Sequence, residues 1–349
     1  MKIELSKNFV KNSAVETRFC EKSYMDFLRS AFFVCKYGKI CYNRTMDRQY
    51  GKNNQRQPNG FLENITDATA SGLSFTFGLL FYLVVSLVVV VLFSAMENEE
   101  TFLYAQYLAS PIAIAILTLV YFYVTKKDFG IVAKKQNCQA KYYGIAILLQ
   151  IGLFSLAELN TYFLTWLETF GYKPQPIMLP SMNGFGLVGV LITVALLPAI
   201  FEEVFFRGML LDGCKVFGKA GAVLVCGALF ALYHQNPAQT IYQFCCGAAF
   251  ALVALRSGSI LPTVLSHFIN NALILILTKF GVDSFPLPVW ITVVCVSALC
   301  LIGSLIYLIF LDKKETEEKT GTKKQFILGA LGGIVICAIS WISALFTGV

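Results

Sequence analysis

Three ionisable residues fall within one strongly apolar stretch, Leu197-Pro-Ala-Ile-Phe-Glu-Glu-Val-Phe-Phe-Arg207. Glu203 and Arg207 are four residues apart, so in a helix they lie on one face and can pair. Glu202 is rotated by about 100° from Glu203 and has no such partner in its own helix. Because an unpaired carboxylate is costly in apolar surroundings, such a residue is usually functional. We therefore expect Glu203–Arg207 to be a structural ion pair and Glu202 to be a catalytic or ligand-binding group.

The only two histidines of the chain also lie in apolar stretches. His234 follows Phe230 by four residues, and His267 precedes Asn271 by four. An imidazole beside a carboxylate can hold a water molecule and help to deprotonate it as it attacks an amide carbonyl. The negative oxygen that then develops needs hydrogen-bond donors, which a histidine and an asparagine can supply. These residue types therefore suit hydrolysis of an amide bond.

The composition indicates that a membrane-embedded protein positions these groups. Of the 349 residues 56% are hydrophobic and only 14% are charged, whereas a soluble domain carries about 25% charged residues. A helix needs roughly 20 apolar residues to span a bilayer. Nine apolar segments approach or exceed this length, near 72–96, 102–125, 142–167, 184–213, 219–236, 239–255, 258–278, 287–311 and 326–349.

The loops between these segments predict the orientation of the chain. Residues 1–60 hold twelve Lys or Arg against five Asp or Glu, and the loops after the second, fourth, sixth and eighth segments carry further Lys or Arg. Because Lys and Arg accumulate on the cytoplasmic side, the N-terminus is predicted to be cytoplasmic. We divide the chain into a basic cytoplasmic extension, residues 1–70, and a multi-pass transmembrane domain, residues 71–349. A nucleic-acid partner is not expected.

The spacing of the candidate residues predicts that they meet. The midpoint of Glu202 and His234 is Gly218, in a turn-like stretch, so an antiparallel hairpin would place both at one height. His267 follows Gly258 by nine residues, which puts it roughly 13 Å along its helix. Four groups from three helices are thus expected to converge in the cytoplasmic half of the membrane: Glu202, His234, His267 and Asn271.

Together these motifs resemble a known family. The ordered set comprises Glu202-Glu203-x-x-x-Arg207, Phe230-x-x-x-His234 and His267-x-x-x-Asn271. It is similar to the CPBP family of intramembrane proteases, which includes CaaX prenyl proteases and Abi-like bacteriocin-processing or self-immunity proteins. The motif core spans residues 198–271, about a quarter of the chain. The resemblance implies an all-α membrane bundle of about eight or nine helices with a cavity open to the cytoplasm and to lipid.

The resemblance also implies a role for each motif residue. Glu202 with His234 would activate the water, and His267 with Asn271 would stabilise the oxyanion. The implied activity is that of a CaaX prenyl protease 2-like endopeptidase acting on a membrane-associated or lipidated peptide. The remaining motif residues would support the site without touching the reacting atoms: Glu203, Arg207 and Phe230. The chain departs from the family in its basic N-terminal extension and in an additional C-terminal helix.

Other interpretations of these residues stay open. Glu202, His234 and His267 have the types of zinc ligands, and the family is often labelled metalloprotease. The usual zinc helix HExxH is absent, since the chain reads His234-Gln-Asn-Pro237, so we favour a form without a cofactor over a zinc-dependent one. Buried carboxylates and histidines also occur in proton-coupled transporters, and a catalytically inactive immunity or scaffold protein is a further alternative.

Overall fold

The computed structural model describes residues 65–93, 98–132, 138–174, 177–282, 285–312 and 320–347, all within one compact unit, Pro58–Val349. Every regular element in these ranges is helical, which confirms the predicted all-α class. The predicted extension, residues 1–70, lies almost wholly outside the described residues, so its boundary stays a prediction.

Eight helical runs in the described ranges are long and apolar enough to cross a membrane. One of them contains two helices, so the labels run from α1 to α9. Their bounds are α1 Asp67–Phe93, α2 Glu99–Thr125, α3 Lys141–Glu168, a run Gly186–Tyr233 that contains α4 and α5, α6 Pro237–Ser257, α7 Leu261–Lys279, α8 Leu287–Leu311 and α9 Lys323–Thr347. This count agrees with the predicted eight or nine. The side of the membrane on which each end lies stays a prediction.

The run Gly186–Tyr233 is 48 residues long, more than twice the length that spans a bilayer. Gly218 interrupts it with a φ of 79° and a ψ of 172°, a conformation that glycine adopts without steric cost. Residues 186–217 therefore form α4, and Gly218–Tyr233 forms α5. The rings of Phe206 and Phe230, equidistant from Gly218 in the chain, lie 4.9 Å apart. The two segments therefore return on one another, as the predicted hairpin requires.

Side-chain capping explains where two of the helices begin. Asn98 precedes α2 and accepts a hydrogen bond from the backbone N–H of Thr101 at 3.1 Å. Before α9, the hydroxyl of Thr322 accepts from the N–H of Gln325 at 3.2 Å, and the Gln325 side chain accepts from the N–H of Thr322 at 2.8 Å. This reciprocal pair is a capping box, which satisfies two backbone donors that a helix start leaves unpaired.

The C-terminal helix α9 packs closely against α1. A Cβ atom added at Gly72 would lie 2.3 Å from the carbonyl oxygen of Phe326, so only glycine fits at this crossing. The hydroxyl of Thr76 donates to the carbonyl of Gly329 at 2.7 Å. Small residues and interhelical hydrogen bonds are the usual means of helix association in membranes. The additional helix predicted at the C-terminus is thus an integral part of the bundle.

A candidate catalytic cluster between four helices

The segment of α4 that carries the glutamates departs from regular α-helical geometry. The turn Leu197–Glu203 lies between two π-helical stretches, Leu191–Leu196 and Val204–Leu210. Pro198 has no backbone N–H to donate, and the N–H of Leu197 instead bonds to the carbonyl of Ile192. Wide turns of this kind occur often at functional sites. Pro198 therefore lies directly after a π-helical turn and next to the candidate site.

Glu203 and Arg207 form the ion pair that their spacing predicts. Arg207 Nη1 lies 2.7 Å from Glu203 Oε1, and both side chains are completely buried. Arg207 also donates from Nη2 to the carbonyl oxygen of Gly247 at 3.1 Å. Because an unpaired buried charge is strongly destabilising, Glu203 and the carbonyl together hold the guanidinium in place. The cation thereby ties α4 to α6.

The backbone of α6 reaches Arg207 because α5 and α6 cross at two glycines. A Cβ atom added at Gly247 would lie 2.9 Å from the Cα atom of Gly227 and 2.9 Å from the Cβ atom of Phe230. No side chain larger than hydrogen fits there without moving a helix. The close crossing explains how a main-chain oxygen of α6 becomes a ligand of a buried arginine on α4.

Aromatic rings enclose the buried arginine. Its guanidinium carbon lies 4.5 Å from the ring centre of Phe230 and 5.3 Å from that of Phe250. Both rings also contact His267, with centres 5.9 Å and 5.8 Å from the imidazole. A cation over an aromatic face is attracted by the negative charge of the ring face. Phe230 thus packs against both the guanidinium and His267, whereas sequence reasoning missed Phe250, an aromatic residue of α6 outside the motifs.

His267 approaches both glutamates. Its Nδ1 lies 3.0 Å from Glu203 Oε1, and its Nε2 lies 3.9 Å from Glu202 Oε2. A carboxylate oxygen accepts, so Nδ1 carries the hydrogen and donates it to Glu203. This bond fixes the orientation of the imidazole and directs Nε2 towards Glu202. A gap of 3.9 Å is too long for a direct hydrogen bond and suits a bridging water molecule.

Glu202 differs from its neighbour in having no ion pair with an arginine among the described residues. The residue is 8% exposed, and its Oε2 atom is buried without a hydrogen-bond partner in the structure. A native protein leaves few buried polar atoms unsatisfied, and those that remain call for an explanation such as a catalytic role. The unused oxygen and the nearby Nε2 of His267 together define a small polar spot in an apolar surrounding.

His234 lies at the break between α5 and α6. Its Nδ1 is 2.8 Å from the carbonyl oxygen of Phe230, so Nδ1 donates and Nε2 is the nitrogen that can accept from water. The next residue, Gln235, has a φ of 52°, which is uncommon for a residue other than glycine. Asn236 then accepts from the N–H of Ala238 at 2.9 Å and starts the following turn. The break places His234 half-buried at a helix end.

Asn271 follows His267 by one turn of α7 and is half-buried. Its side-chain oxygen accepts a hydrogen bond from the side-chain nitrogen of Asn270 at 3.1 Å. Asn270 in turn is held by Gln150 and Tyr242, at 2.9 Å and 2.8 Å. Sequence reasoning missed these three neighbours. The rule that polar residues within membrane segments are rarely incidental would have drawn attention to Gln150 and Asn270.

The structure connects some of the predicted residues by direct contacts and others indirectly. Direct contacts connect Glu202, Glu203, Arg207 and His267. His234 joins this group through Phe230, whose ring centre lies 4.7 Å from that of His234 and 5.9 Å from that of His267. Asn271 lies one turn beyond His267 on α7. The catalytic role of each residue stays a prediction.

The same residues do not form a ready metal site. Within the described ranges, no three His, Cys, Asp or Glu side chains are grouped so that they could hold one metal ion. A catalytic zinc normally takes three protein ligands and one water. The arrangement therefore does not fit the zinc set Glu202, His234 and His267, and we derive no chemical step through a metal.

Comparison with known proteins bears directly on this cluster. Residues 184–273 match the Rce1-like family model of type II CAAX prenyl endopeptidases. The match confirms the resemblance that the three motifs predicted. It covers about a quarter of the chain and contains Glu202, His234, His267 and Asn271. Neither a curated protein nor a solved structure matches this chain. The match supports a protease embedded in a membrane by several helices.

Proposed function

We propose that the protein is an intramembrane endopeptidase that hydrolyses a peptide bond with a water molecule activated by Glu202. The observation that carries this proposal is the unused Oε2 atom of Glu202, buried and 3.9 Å from Nε2 of His267. A water molecule bound to this oxygen would contact a carboxylate base, and Nε2 of His267 would lie close to the oxyanion that forms when the water attacks. The family match over residues 184–273 supports proteolysis as the reaction.

In the first step the water oxygen attacks the carbonyl carbon of the substrate. Glu202 takes the proton that the water loses, and His234 Nε2 accepts a hydrogen bond from the second O–H of the water and orients it. A bond forms between the water oxygen and the carbonyl carbon, and the carbonyl oxygen becomes an oxyanion. The Nδ1–Phe230 hydrogen bond of His234, 2.8 Å long, keeps Nε2 unprotonated for this role.

His267 and Asn271 would stabilise the oxyanion. His267 already donates from Nδ1 to Glu203, so it donates to the oxyanion from Nε2 only as an imidazolium. The Glu203 carboxylate, 3.0 Å from Nδ1, stabilises that cation. Asn271 supplies a second donor from its amide nitrogen. In the second step Glu202 returns its proton to the amine nitrogen as the C–N bond breaks, and a carboxylic acid and an amine are released.

We further propose that the substrate is a membrane-associated or lipidated peptide and that the protein lies in the cell membrane with its N-terminus in the cytoplasm. The location of the cluster within apolar helices supports a substrate that enters from the bilayer. The matched family model is described as a CAAX prenyl endopeptidase, and a prenylated peptide is therefore the first substrate class to test. The reaction is proposed to need no cofactor, with zinc-dependent hydrolysis as the alternative.

The test uses the purified full chain in lipid vesicles. Two peptides of one sequence ending in a CaaX box are compared, one with a farnesylated cysteine and one with the free thiol. We expect cleavage of the farnesylated peptide by the native chain and none by Glu202→Gln, while the control Glu168→Gln, on an exposed position, keeps native activity. Equal cleavage by the native and Glu202→Gln chains would refute the proposed mechanism. Cleavage of both peptides at one rate would reject the lipid requirement.

A further inference from the structure

One face of α7 packs against α3, and the adjacent face carries predicted site residues. The face with Ser266 and Asn270 meets α3: Ser266 donates to the carbonyl of Ala146 at 2.8 Å, and Gln150 donates from its side chain to Asn270 Oδ1 at 2.9 Å. Ser266 and Asn270 are four residues apart on α7, and their partners Ala146 and Gln150 are four residues apart on α3. One turn of α7 is therefore fixed against one turn of α3. The next face, rotated by about 100°, carries the two predicted oxyanion donors.

Asn270 has its hydrogen-bonding pattern fixed by two other helices. Its Oδ1 accepts from Gln150 of α3 and from the Tyr242 hydroxyl of α6 at 2.8 Å. Asn270 is 4% exposed, and Gln150 is completely buried. With its oxygen occupied by two donors, Asn270 directs its NH2 group to Oδ1 of Asn271 at 3.1 Å. A rotation of the Asn270 amide by 180° would break both bonds to its oxygen and leave buried donors unsatisfied.

This chain of bonds decides which end of Asn271 is available. A primary amide carries an acceptor oxygen and a donor nitrogen of similar shape, so an unrestrained asparagine can present either. The bond from Asn270 occupies the oxygen of Asn271 and leaves its NH2 group to donate elsewhere. Only the NH2 end stabilises an oxyanion, because the oxygen end would repel it.

We propose that Asn270, held by Gln150 and Tyr242, is a positioning residue that presents the donor end of Asn271 to the oxyanion of the reaction. This inference rests on the proposed function. Asn270 does not touch the substrate and acts through its neighbour. If Asn270 instead only joined α7 to α3 and α6 as a polar contact between membrane helices, the losses caused by the two single substitutions would multiply in the double variant.

The experiment is a double-mutant cycle on initial rates. The native chain, Asn270→Leu, Asn271→Ala and the double variant are reconstituted in vesicles with a quenched fluorogenic peptide that ends in a farnesylated CaaX box. Removal of one oxyanion donor lowers kcat by about 10²–10³-fold in other enzymes. We expect Asn270→Leu to lower kcat by roughly 10- to 100-fold with KM within about twofold, and to cause no further loss once Asn271 is alanine.

Three further variants test whether Asn270 acts through its hydrogen-bond partners. Tyr242→Phe and Gln150→Met each remove one donor and keep the side-chain volume, and we expect each to lower kcat by a smaller factor without changing KM. Thr118→Val, which removes a buried hydroxyl bonded to its own helix, is the control and should be neutral. Independent losses that multiply in the double variant, or native kcat in Asn270→Leu, would overturn the inference alone. Absence of cleavage by the native chain would overturn the proposed function and the inference with it.

Discussion

His267 Nδ1 lies 3.0 Å from Oε1 of Glu203, and the same oxygen accepts from Arg207 at 2.7 Å. One carboxylate oxygen therefore joins a fixed cation to an imidazole and orients the imidazole. Within the part of the chain that the structure describes, the adjacent Glu202 has no arginine partner, and its buried Oε2 atom makes no hydrogen bond. The two neighbouring glutamates thus have different environments: Glu203 is bonded to a guanidinium and an imidazole, whereas Glu202 only approaches the same imidazole, at 3.9 Å.

The ion pair is expected to stabilise the fold as a unit. Arg207→Leu should lower the free energy of unfolding by about 3–5 kcal/mol, because Glu203 is left as an uncompensated buried charge. The double variant Glu203→Leu/Arg207→Leu should recover much of that loss, since the two charges are removed together, yet remain inactive because His267 loses its partner. Thermal unfolding in detergent and peptide cleavage measure the two effects. Destabilisation by the double variant equal to the sum of both single variants would contradict this coupling.

The crossing at Gly247 should tolerate no side chain. Gly247→Ala introduces a Cβ atom 2.9 Å from the Cα atom of Gly227, which pushes α5 and α6 apart and lengthens the bond from Arg207 to the Gly247 carbonyl. Overpacking of this kind costs about 1–3 kcal/mol, and we expect a loss of activity with it. Gly303→Ala is the matched control, since nothing lies within 4 Å of its added Cβ. Equal unfolding temperatures of the two variants would show that the crossing is not tight.

The amino-acid sequence located most residues of this candidate cluster because intramembrane ionisable residues are few. Glu202, Glu203 and Arg207 were found from charge in an apolar stretch, and the pairing of Glu203 with Arg207 from their spacing. The spacing did not predict that His267 would contact Glu203. Helical periodicity gives the face of a residue on its own helix but not its rotation against a neighbouring helix, which packing decides.

The fold was predictable to a similar degree. The apolar segments located the helices, and Gly218 located the hairpin, because glycine adopts a positive φ without strain. The close approach of α1 and α9 at Gly72 was not predicted, since a glycine in an apolar stretch does not reveal its contact partner. The π-helical turns around Leu197–Glu203 were also missed, because Pro198 predicts a disturbance of the helix but not its form.

A reaction without metal should survive chelation. No three potential ligands among the described residues are grouped so that they could hold one metal ion, so we expect cleavage to persist after incubation with a zinc chelator and gel filtration. The metal content of the active preparation is measured in parallel by mass spectrometry. Activity that is lost on chelation and restored by zinc alone would favour the zinc-dependent form of the protease.

The predicted orientation can be tested with single cysteines in a cysteine-free chain. Asp128→Cys lies in an exposed turn after α2, and Lys173→Cys lies in an exposed segment after α3. With the N-terminus in the cytoplasm, a membrane-impermeant maleimide should label position 173 in intact cells and position 128 only after permeabilisation. The reverse pattern would invert the topology and place the N-terminus outside.

The most direct test of the central claim compares protein termini in cells that make either the native chain or Glu202→Gln. The substitution keeps the size and polarity of the side chain but removes the base, so insertion and fold should be retained. We predict that a defined set of new termini of membrane or secreted proteins disappears in Glu202→Gln while its membrane level equals that of the native chain. Unchanged termini, together with a cellular effect that still depends on the native protein, would contradict proteolysis by Glu202 and point to transport or an immunity function.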